Sequence, residues 1–451
     1  MPSIALPVSL RGQLLSGSRF SPASLFAASE PGVWYDPSDL TTMFQDTAGT
    51  TPVTTPGQTV ARINDKSGRG NNATQATAAS RPTYGIVPLG GRRNIYTFTE
   101  QFNNVFWTKN GSTVTADGAD WRLIPTATIS THGISGSVAS NAGVVHTLSL
   151  EVQTGYTQWA RLAFLNVADR VDAWFDLTNA TKGSFTTSAS MTYVNHTITD
   201  LGNGWRRITL SAIPVNTGGT TVSWLMRLAQ ADLDIATWLA DGTSFNRIGR
   251  PQLELGSTAT AYQRVETAFD VTEAGVRSLS YLSFDGVDDF LVTPTITPGV
   301  DKVQVFAGVR KLSTNIGIIA ELSTITDNNN GTFMLLGNWA STRGGFRSKG
   351  TIPVDSLTGT AAIESFVITG LGDIGGDRST IRFNGTQALQ STGDQGTGNY
   401  LAYPIYIGAR GVGGIATNGQ IYNMIVRFGT NLDAGAIYST ETFVNEKTGA
   451  Y

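Results

Sequence analysis

Short apolar segments separated by turn residues set the strongest limit on the fold of this chain. From Gly32 onward, runs rich in Val, Ile, Thr and aromatic residues alternate with Gly, Asn and Asp. The clearest runs are 144–152, 205–212, 303–309, 365–369 and 421–428. Glycine, with 51 residues in 451, can supply the turns between so many short strands. The pattern predicts an all-β protein built from β-sandwiches or jelly rolls.

Helical spacing of apolar residues occurs at only two places. These are 229–240 and 433–445, and both are predicted to form short accessory helical turns. Residues 1–30 contain prolines and small residues without sustained periodicity. They are interpreted as an N-terminal attachment arm, with a frayed terminus as the alternative.

Length and composition narrow the class of protein. A chain of 451 residues exceeds one ordinary core and predicts two or three domains. Hydrophobic residues at 40% exclude a disordered chain, and charged residues at 14% exclude a long coiled coil. A net charge of −3 offers no general attraction for nucleic acid or for an anionic membrane. The absence of cysteine removes disulfides, thiolate metal sites and cysteine nucleophiles. No secretion signal or membrane-spanning run is recognisable, so we expect a soluble protein.

Three segments resemble a known lectin family. They are DKSGRGNNATQ at 65–75, RPTY at 81–84 and LSFDGVDDFL at 282–291. In this order they resemble the opening of the concanavalin A-like (laminin G-like) lectin sandwiches of bacterial and phage surface proteins. In that family the segments lie close together, whereas about 200 residues separate the last two here. The resemblance therefore implies one lectin-like sandwich, formed by 31–91 and 268–451, with a second domain at 92–267 inserted into a surface loop.

The inserted block has a resemblance of its own. NIYTFTEQFNNVFWTK at 94–109, LGNGWRRITLS at 201–211 and PQLELGSTATAYQRV at 251–265 resemble the carbohydrate-binding-module-type jelly roll of phage head-spike and tail-fibre proteins. The lead-in GVWYDPSDLTTMFQDTAGTTPV at 32–53 likewise resembles phage virion proteins.

The resemblance implies a bacteriophage head fibre or spike, or a tail fibre. Such a protein would be made in the cytoplasm of the bacterial host and displayed on the virion surface. It implies a homotrimer that docks on other virion structural proteins through the arm 1–30. Weak contacts with host-surface glycans would be multiplied over many copies. Two alternatives are a structural decoration protein without glycan contacts and a polysaccharide depolymerase.

Tryptophans concentrate in the inserted block. Seven of the nine lie there, at Trp107, Trp121, Trp159, Trp174, Trp205, Trp224 and Trp238. Flat rings stack on the apolar C–H faces of sugars, although tryptophan is also a good core residue.

Two of these tryptophans alternate with charged residues. Trp159 alternates with Arg161, and Trp174 alternates with Asp172, so each ring shares a strand face with a charged neighbour. We predict that these four residues contact glycan. The alternation does not decide which face is buried.

Catalytic patterns are absent from the sequence. The three histidines, His132, His146 and His196, form no HExxH motif, and neither a GxSxG elbow nor a phosphate loop occurs. Gly370, Gly372 and the following Gly375 match GxGxxG, but a second strand follows instead of a helix, which predicts a hairpin turn. We expect no enzymatic activity and no cofactor.

One acidic cluster could bind a metal. Asp285, Asp288 and Asp289 could offer carboxylates to calcium. The alternative is a turn at a strand end, where Asp and Gly supply the backbone geometry. The nearby run 327–331 departs from EF-hand spacing and is predicted to be an exposed loop tip. We expect no bound metal, and calcium at the aspartates is the weaker alternative.

Overall fold

The computed structural model divides the chain into two compact units. It describes residues 20–139, 143–166, 169–188, 191–214, 221–339, 341–411 and 414–451. Unit 1 comprises Met1–Val53, Thr59–Pro82 and Tyr281–Tyr451, and unit 2 comprises Thr54–Gln58 and Thr83–Ser280. Both units consist of β-sheets with almost entirely antiparallel pairing, which confirms the all-β fold class.

The strands are numbered in chain order. Unit 1 begins with β1 (Gly32–Tyr35), β2 (Met43–Phe44), β3 (Arg62–Ile63) and β4 (Ala73–Thr74). Unit 2 contains β5 (Thr83–Pro88), β6 (Thr108–Asn110), β7 (Ser112–Asp117), β8 (Asp120–Pro125), β9 (Ile129–Ser130), β10 (Gly133–Ala139), β11 (His146–Gln153), β12 (Trp159–Asn166), β13 (Asp169–Asp176), β14 (Thr181–Thr187), β15 (Thr192–Gly202), β16 (Trp205–Ile213), β17 (Thr221–Ala229), β18 (Trp238–Leu239), β19 (Asn246–Leu255), β20 (Gln263–Thr267) and β21 (Asp270–Glu273). The chain continues with β22 (Ser278–Asp285), β23 (Leu291–Val292), β24 (Lys302–Lys311), β25 (Gly317–Leu322), β26 (Thr332–Asn338), β27 (Gly344–Lys349), β28 (Pro353–Thr358), β29 (Ser365–Asp373), β30 (Arg378–Phe383), β31 (Thr386–Ser391), β32 (Ile405–Ile407), β33 (Asn418–Phe428) and the helix α1 (Ala434–Thr448). Short 3-10 helices lie at Pro22–Phe26, Leu40–Thr42 and Ala78–Ser80.

Unit 1 is a β-sandwich. Its first sheet runs β22-β33-β24-β29-β30-β31, with β1 also paired to β33. Its second sheet runs β2-β3-β4-β23-β32-β25-β26-β27-β28. Rings from both sheets meet in the core, where the centroids of Phe333 and Phe428 lie 6.0 Å apart. The inward-facing side chains of two antiparallel sheets thus form one core.

The glycines of the GxGxxG match are explained by core packing. β29 and β30 pair from Asp373 and Arg378 outward, which confirms the predicted hairpin turn. A Cβ atom at Gly370 would lie 2.2 Å from Phe346 Cδ2, and one at Gly372 would lie 2.2 Å from Tyr400 Oη. The two glycines make room for these rings.

The outer face of the first sheet carries α1. The helix confirms the terminal helical prediction and extends it to Thr448. Asp433 caps it by accepting a hydrogen bond from Ala436 N at 2.7 Å, and Gly449 ends it with φ +61°. Among the described residues, no helix reaches the length and hydrophobicity that crossing a bilayer requires.

The predicted N-terminal arm is described only in part. Residues 1–19 lie outside the described residues. Leu25 and Phe26 are buried in one cluster with Ile425 and Val444. Residues 20–30 therefore pack on unit 1 instead of extending from it.

Unit 2 is a second β-sandwich. One sheet runs β14-β13-β12-β17-β10-β6 and the other runs β15-β16-β11-β19-β8-β7. Their facing sides bury a core that includes Phe164, Phe175, Leu210 and Trp224. The predicted strands at 144–152 and 205–212 are confirmed as β11 and β16.

The helical prediction for 229–240 is wrong. The chain leaves β17 and runs as a loop to the short strand β18, which pairs with β9. Asp234 accepts hydrogen bonds from Gln230 N and Ala236 N, both at 2.9 Å. Asp232 reaches outward to accept from Ser184 Oγ at 2.8 Å. The backbone N–H groups that an α-helix would pair with its own carbonyl groups thus donate to Asp234, and Asp232 is held by Ser184.

Candidate functional site

The four predicted glycan-contact residues meet on one face of unit 2. Side chains alternate along β12 and β13, and the core takes Leu162 and Ala173, so Arg161, Asp172 and Trp174 point to the other face. Arg161 lies opposite Trp174 on one side and opposite Arg227 of β17 on the other. We call this surface the arginine face, and it comprises Trp159, Arg161, Arg170, Asp172, Trp174 and Arg227.

The two tryptophans of the arginine face differ in exposure. Trp174 is 1% exposed, and its Nε1 donates to the backbone oxygen of Asp234 at 3.0 Å. The 229–240 loop therefore covers this ring, which is buried instead of solvent-facing. Trp159 is half-buried, and a Cβ atom at Gly183 would lie 2.7 Å from its Cζ3. Only Trp159 keeps a part of its ring at the surface.

One carboxylate serves two guanidinium groups on this face. Arg170 makes two hydrogen bonds to Asp172, from Nε at 2.5 Å and from Nη2 at 2.6 Å. Arg161 Nε lies 3.5 Å from the same carboxylate, and both residues are buried. Arg227 adds a third guanidinium beside them. Asp172 and Asp234 both attract Arg161, so three guanidinium groups face two carboxylates and an excess of positive charge remains.

Burial and the neighbouring charges shift the pKa values of these three arginines. Burial lowers the pKa of Arg227 to about 10, and repulsion from Arg161 and Arg170 acts in the same direction. Burial also lowers the pKa of Arg161, whereas the hydrogen bonds to Asp172 raise that of Arg170.

Several guanidinium donors lack partners. Nε and Nη1 of Arg161 and Nη1 of Arg227 have no hydrogen-bond partner within the described residues. Buried polar groups are normally paired, and guanidinium groups suit planar carboxylate acceptors. These donor atoms are themselves shielded from solvent, so an anionic ligand would meet the outer atoms of Arg170 and Arg227.

Arg170 and Arg227 are not among the residues predicted from the sequence to contact glycan. Arg170 precedes Asp172 by two residues, so alternation alone could have placed it on the same face. Arg227 joins the face only through the pairing of β12 with β17. That pairing joins strands far apart in sequence, and no local pattern predicts it.

The acidic cluster of unit 1 forms a turn. The ligand atoms of Asp285, Asp288 and Asp289 lie within 4.8 Å of one another. Asp285 Oδ1 accepts from Val287 N at 2.8 Å, and Asp289 Oδ2 accepts from Asp285 N at 3.0 Å. Asp288 Oδ2 accepts from Ser80 Oγ at 2.7 Å. The carboxylates could hold a calcium ion, but the hydrogen bonds account for them as turn residues.

Asp289 is expected to make unit 1 less stable as the pH rises. Burial raises its pKa to about 7, with repulsion from Asp285 and Asp288 added. Because the folded chain holds this proton more tightly than the unfolded chain, the stabilisation is complete below pH ~4 and is lost between pH ~4 and ~7. Asp289→Asn should be about 1–3 kcal/mol more stable than the parent at pH 8 and show a flatter pH profile.

This expectation is measured by urea unfolding at several pH values in buffer containing EDTA. Asp394→Asn, at an exposed loop position of the same unit, is the control. The assignment would be contradicted if the free energy of unfolding of the parent did not fall between pH 4 and pH 8, or if Asp289→Asn showed the same pH dependence as the parent.

The histidines have structural surroundings. His132 Nε2 lies 3.0 Å from the backbone oxygen of Trp238, and His146 Nδ1 lies 2.9 Å from that of Val144. His196 lies between Tyr193 Oη at 2.8 Å and a backbone carbonyl. These contacts hold the three rings in the body of unit 2.

Comparison with known proteins adds distant structural likenesses. No protein-family model matches the sequence, and no curated protein sequence matches it. A carbohydrate-binding module (CBM40) of an IT-sialidase from Ruminococcus gnavus is 14% identical, with a TM-score of 0.26, and covers 32% of this chain and 84% of its own. Domains LG4-5 of mouse laminin α1 are 13% identical, with a TM-score of 0.27, and cover 65% and 88%. Domain 4 of a GH43 extracellular arabinanase from Geobacillus stearothermophilus, in complex with arabinotriose, is 12% identical, with a TM-score of 0.28, and covers 41% and 83%. The fold class rests on the strand pairing within this chain.

Proposed function

We propose that this chain is a non-enzymatic surface protein of a bacteriophage virion that binds acidic glycans of the host through the arginine face. The observation that supports glycan binding is the set of three guanidinium groups on one strand face, those of Arg161, Arg170 and Arg227, of which Arg170 and Arg227 are partly exposed. The virion assignment is supported by the resemblance of 32–53, 94–109 and 251–265 to phage fibre and spike proteins.

The chemistry favours a carboxylate of a uronic or related acidic sugar. Arg170, with 37% of its side chain exposed, and Arg227, which is half-buried, are the guanidinium groups that an incoming ligand meets first. A carboxylate can accept two parallel hydrogen bonds from one guanidinium group. The exposed part of Trp159 offers a flat surface to the C–H side of the same sugar. Neutral sugars lack the charge that this face leaves unbalanced.

Replacing Arg227 with glutamine should weaken binding to an acidic polysaccharide about tenfold, which corresponds to about 1.4 kcal/mol. The reason is that Arg227 supplies positive charge without a carboxylate partner of its own. Biolayer interferometry with immobilised polygalacturonate measures it, with dextran as the neutral surface. Arg277→Gln, at an exposed position of unit 2, removes the same charge elsewhere and should leave binding unchanged.

Two outcomes would overturn the glycan proposal. One is equal binding of polygalacturonate and dextran, and the other is equal loss in Arg227→Gln and Arg277→Gln. Absence of binding to any glycan would favour the structural decoration protein instead.

Binding through the arginine face should also weaken as salt is added, because the attraction is between charges.

The assembly part of the proposal is a homotrimer docked on other virion proteins through its N-terminal segment. Repetition over many copies would turn a modest affinity at each site into strong attachment. The segment to delete is 1–19, because removing 20–30 also removes Leu25 and Phe26 from the core. We expect the deleted chain to remain folded and to be lost from particles. Normal incorporation of the deleted chain would refute the docking assignment.

A further inference from the structure

A cavity of about 190 Å³ opens on the outer face of the first sheet of unit 1. Strands β24, β29, β30 and β31 form one side of it, and the chain entering α1 forms the other. It lies within unit 1, whereas the arginine face belongs to unit 2. Its polar lining includes Gln304, Asp373, Arg378, Gln387, Gln390 and Asn431.

Gln304 lines the cavity and carries a buried amide group. Arg427 Nη1 donates to Gln304 Oε1 at 2.8 Å. A guanidinium group cannot accept a hydrogen bond, so this contact fixes which end of the amide faces Arg427. Among the residues that the structure describes, Gln304 Nε2 has no hydrogen-bond partner, and both the atom and the residue, at 1% exposed, are shielded from bulk solvent. Such a group is normally satisfied in a folded protein.

The walls add further amide groups that the described residues do not use. Gln387 makes no side-chain hydrogen bond there, and Asn431 uses only Nδ2, which donates to Asp373 at 2.9 Å. Gln390 accepts from Thr380 Oγ1 at 3.2 Å through Oε1, which leaves its Nε2 available. Unused amide donors and acceptors therefore belong to residues that line one small cavity.

The charges of the cavity are balanced within the protein. Arg378 Nη2 donates to Asp373 at 2.6 Å. Lys302 lies 3.3 Å from Asp373 and 2.8 Å from Asp301. Two cations thus face two carboxylates. Nothing in this balance favours a charged ligand over a neutral one.

We propose that this cavity binds one neutral sugar residue, a hexose or an N-acetylhexosamine. Adjacent sugar hydroxyls both donate and accept, which matches the free amide groups of Gln304, Gln387 and Asn431. Leu371, Leu432 and Ile437 line the remaining surface, where the C–H face of a sugar would pack. The volume is below the roughly 300–1,000 Å³ of sites for drug-sized ligands and suits a single ring. The chain would then carry two glycan sites of different charge preference.

The test uses the full chain and saturation-transfer difference NMR with D-galactose, D-glucose, N-acetyl-D-glucosamine and D-glucuronate as probes. We expect at least one neutral sugar to bind with millimolar affinity. The double variant Gln387→Ala and Gln390→Ala should weaken this binding at least about tenfold, because it removes two amide groups from the cavity lining. Both residues are exposed, so their truncation should leave the core intact. Thr386→Ala, exposed on the same strand, is the matched control.

A second variant tests the buried donor. Gln304→Met keeps the side-chain length and removes the amide, while Arg427 retains its bonds to Leu25 O and Thr430 O. Circular dichroism checks that this variant is folded, and we expect it to lose the neutral sugar entirely. The proposal fails if no neutral sugar binds, or if binding survives both the double variant and Gln304→Met. Arg227→Gln should leave neutral-sugar binding intact and affect only D-glucuronate, so this failure and that of the arginine face are distinguishable.

Discussion

Trp174→Ala should lower the free energy of unfolding of unit 2 by about 3–5 kcal/mol. The ring is buried on the arginine face, and truncation leaves a large space beneath the 229–240 loop. The loop also loses the bond from Trp174 Nε1 to the oxygen of Asp234, which holds it against the sheet. Urea unfolding followed by far-UV circular dichroism measures the difference.

Trp159→Ala is the matched control. This ring is half-buried on the neighbouring strand of the same face, so its truncation should cost only about 1–2 kcal/mol. We expect Trp159→Ala to reduce the free energy of binding to polygalacturonate by more than it reduces the free energy of unfolding. If both variants lost the same small amount of stability, the burial of Trp174 beneath the loop would be contradicted.

The sequence was sufficient where the signal is local. The run 303–309 is confirmed within β24, and 365–369 is confirmed within β29. The terminal helix was predictable from its apolar spacing, although the prediction ended at 445 and the helix continues to Thr448, where Gly449 caps it. Period-2 and period-3.6 patterns depend on neighbours a few residues apart, so one chain suffices to detect them.

The covering of a strand face was not predictable. Alternation correctly grouped Trp174 with Asp172, but the loop that buries Trp174 comes from 229–240, far along the chain. Helical spacing in that loop was misleading, because Asp232 and Asp234 bind the backbone and Ser184 instead. Burial of one sheet face depends on tertiary contacts that periodicity does not contain.

The two candidate sites show the same limit. Arg161 and Arg227 lie opposite each other because β12 and β17 pair, and Gln304 and Gln387 line one cavity because β24, β29, β30 and β31 lie side by side. None of these pairs has a spacing that marks it in the sequence. By contrast, Asp285, Asp288 and Asp289 lie within five residues of sequence, so the sequence alone predicted the cluster. In the structure, backbone N–H groups of the turn donate to Asp285 and Asp289.

Glu321→Ala should lower the free energy of unfolding of unit 1 by about 3–5 kcal/mol. Glu321 is fully buried on β25, where Oε2 accepts from Arg410 Nε at 3.1 Å and Oε1 accepts from Thr326 N at 2.6 Å. Truncation removes both acceptors and leaves Arg410, itself mostly buried, with Asp327 at 3.0 Å as its remaining acid. It also frees the start of the loop whose tip the sequence predicted at 327–331, where Asp327, Asn328 and Asn330 are exposed but Gly331 is buried.

The matched control for this prediction is Glu364→Ala. Glu364 also accepts two hydrogen bonds from one arginine, Arg343, at 2.8 and 2.9 Å, but 29% of its side chain is exposed. An ion pair with access to water contributes little, so we expect a loss below about 1 kcal/mol. Guanidinium chloride unfolding at neutral pH compares the variants. Equal losses would show that burial does not set the strength of the Glu321 pair. We expect a several-fold larger loss in Glu321→Ala, because water cannot easily reach the buried Arg410 to replace the lost carboxylate.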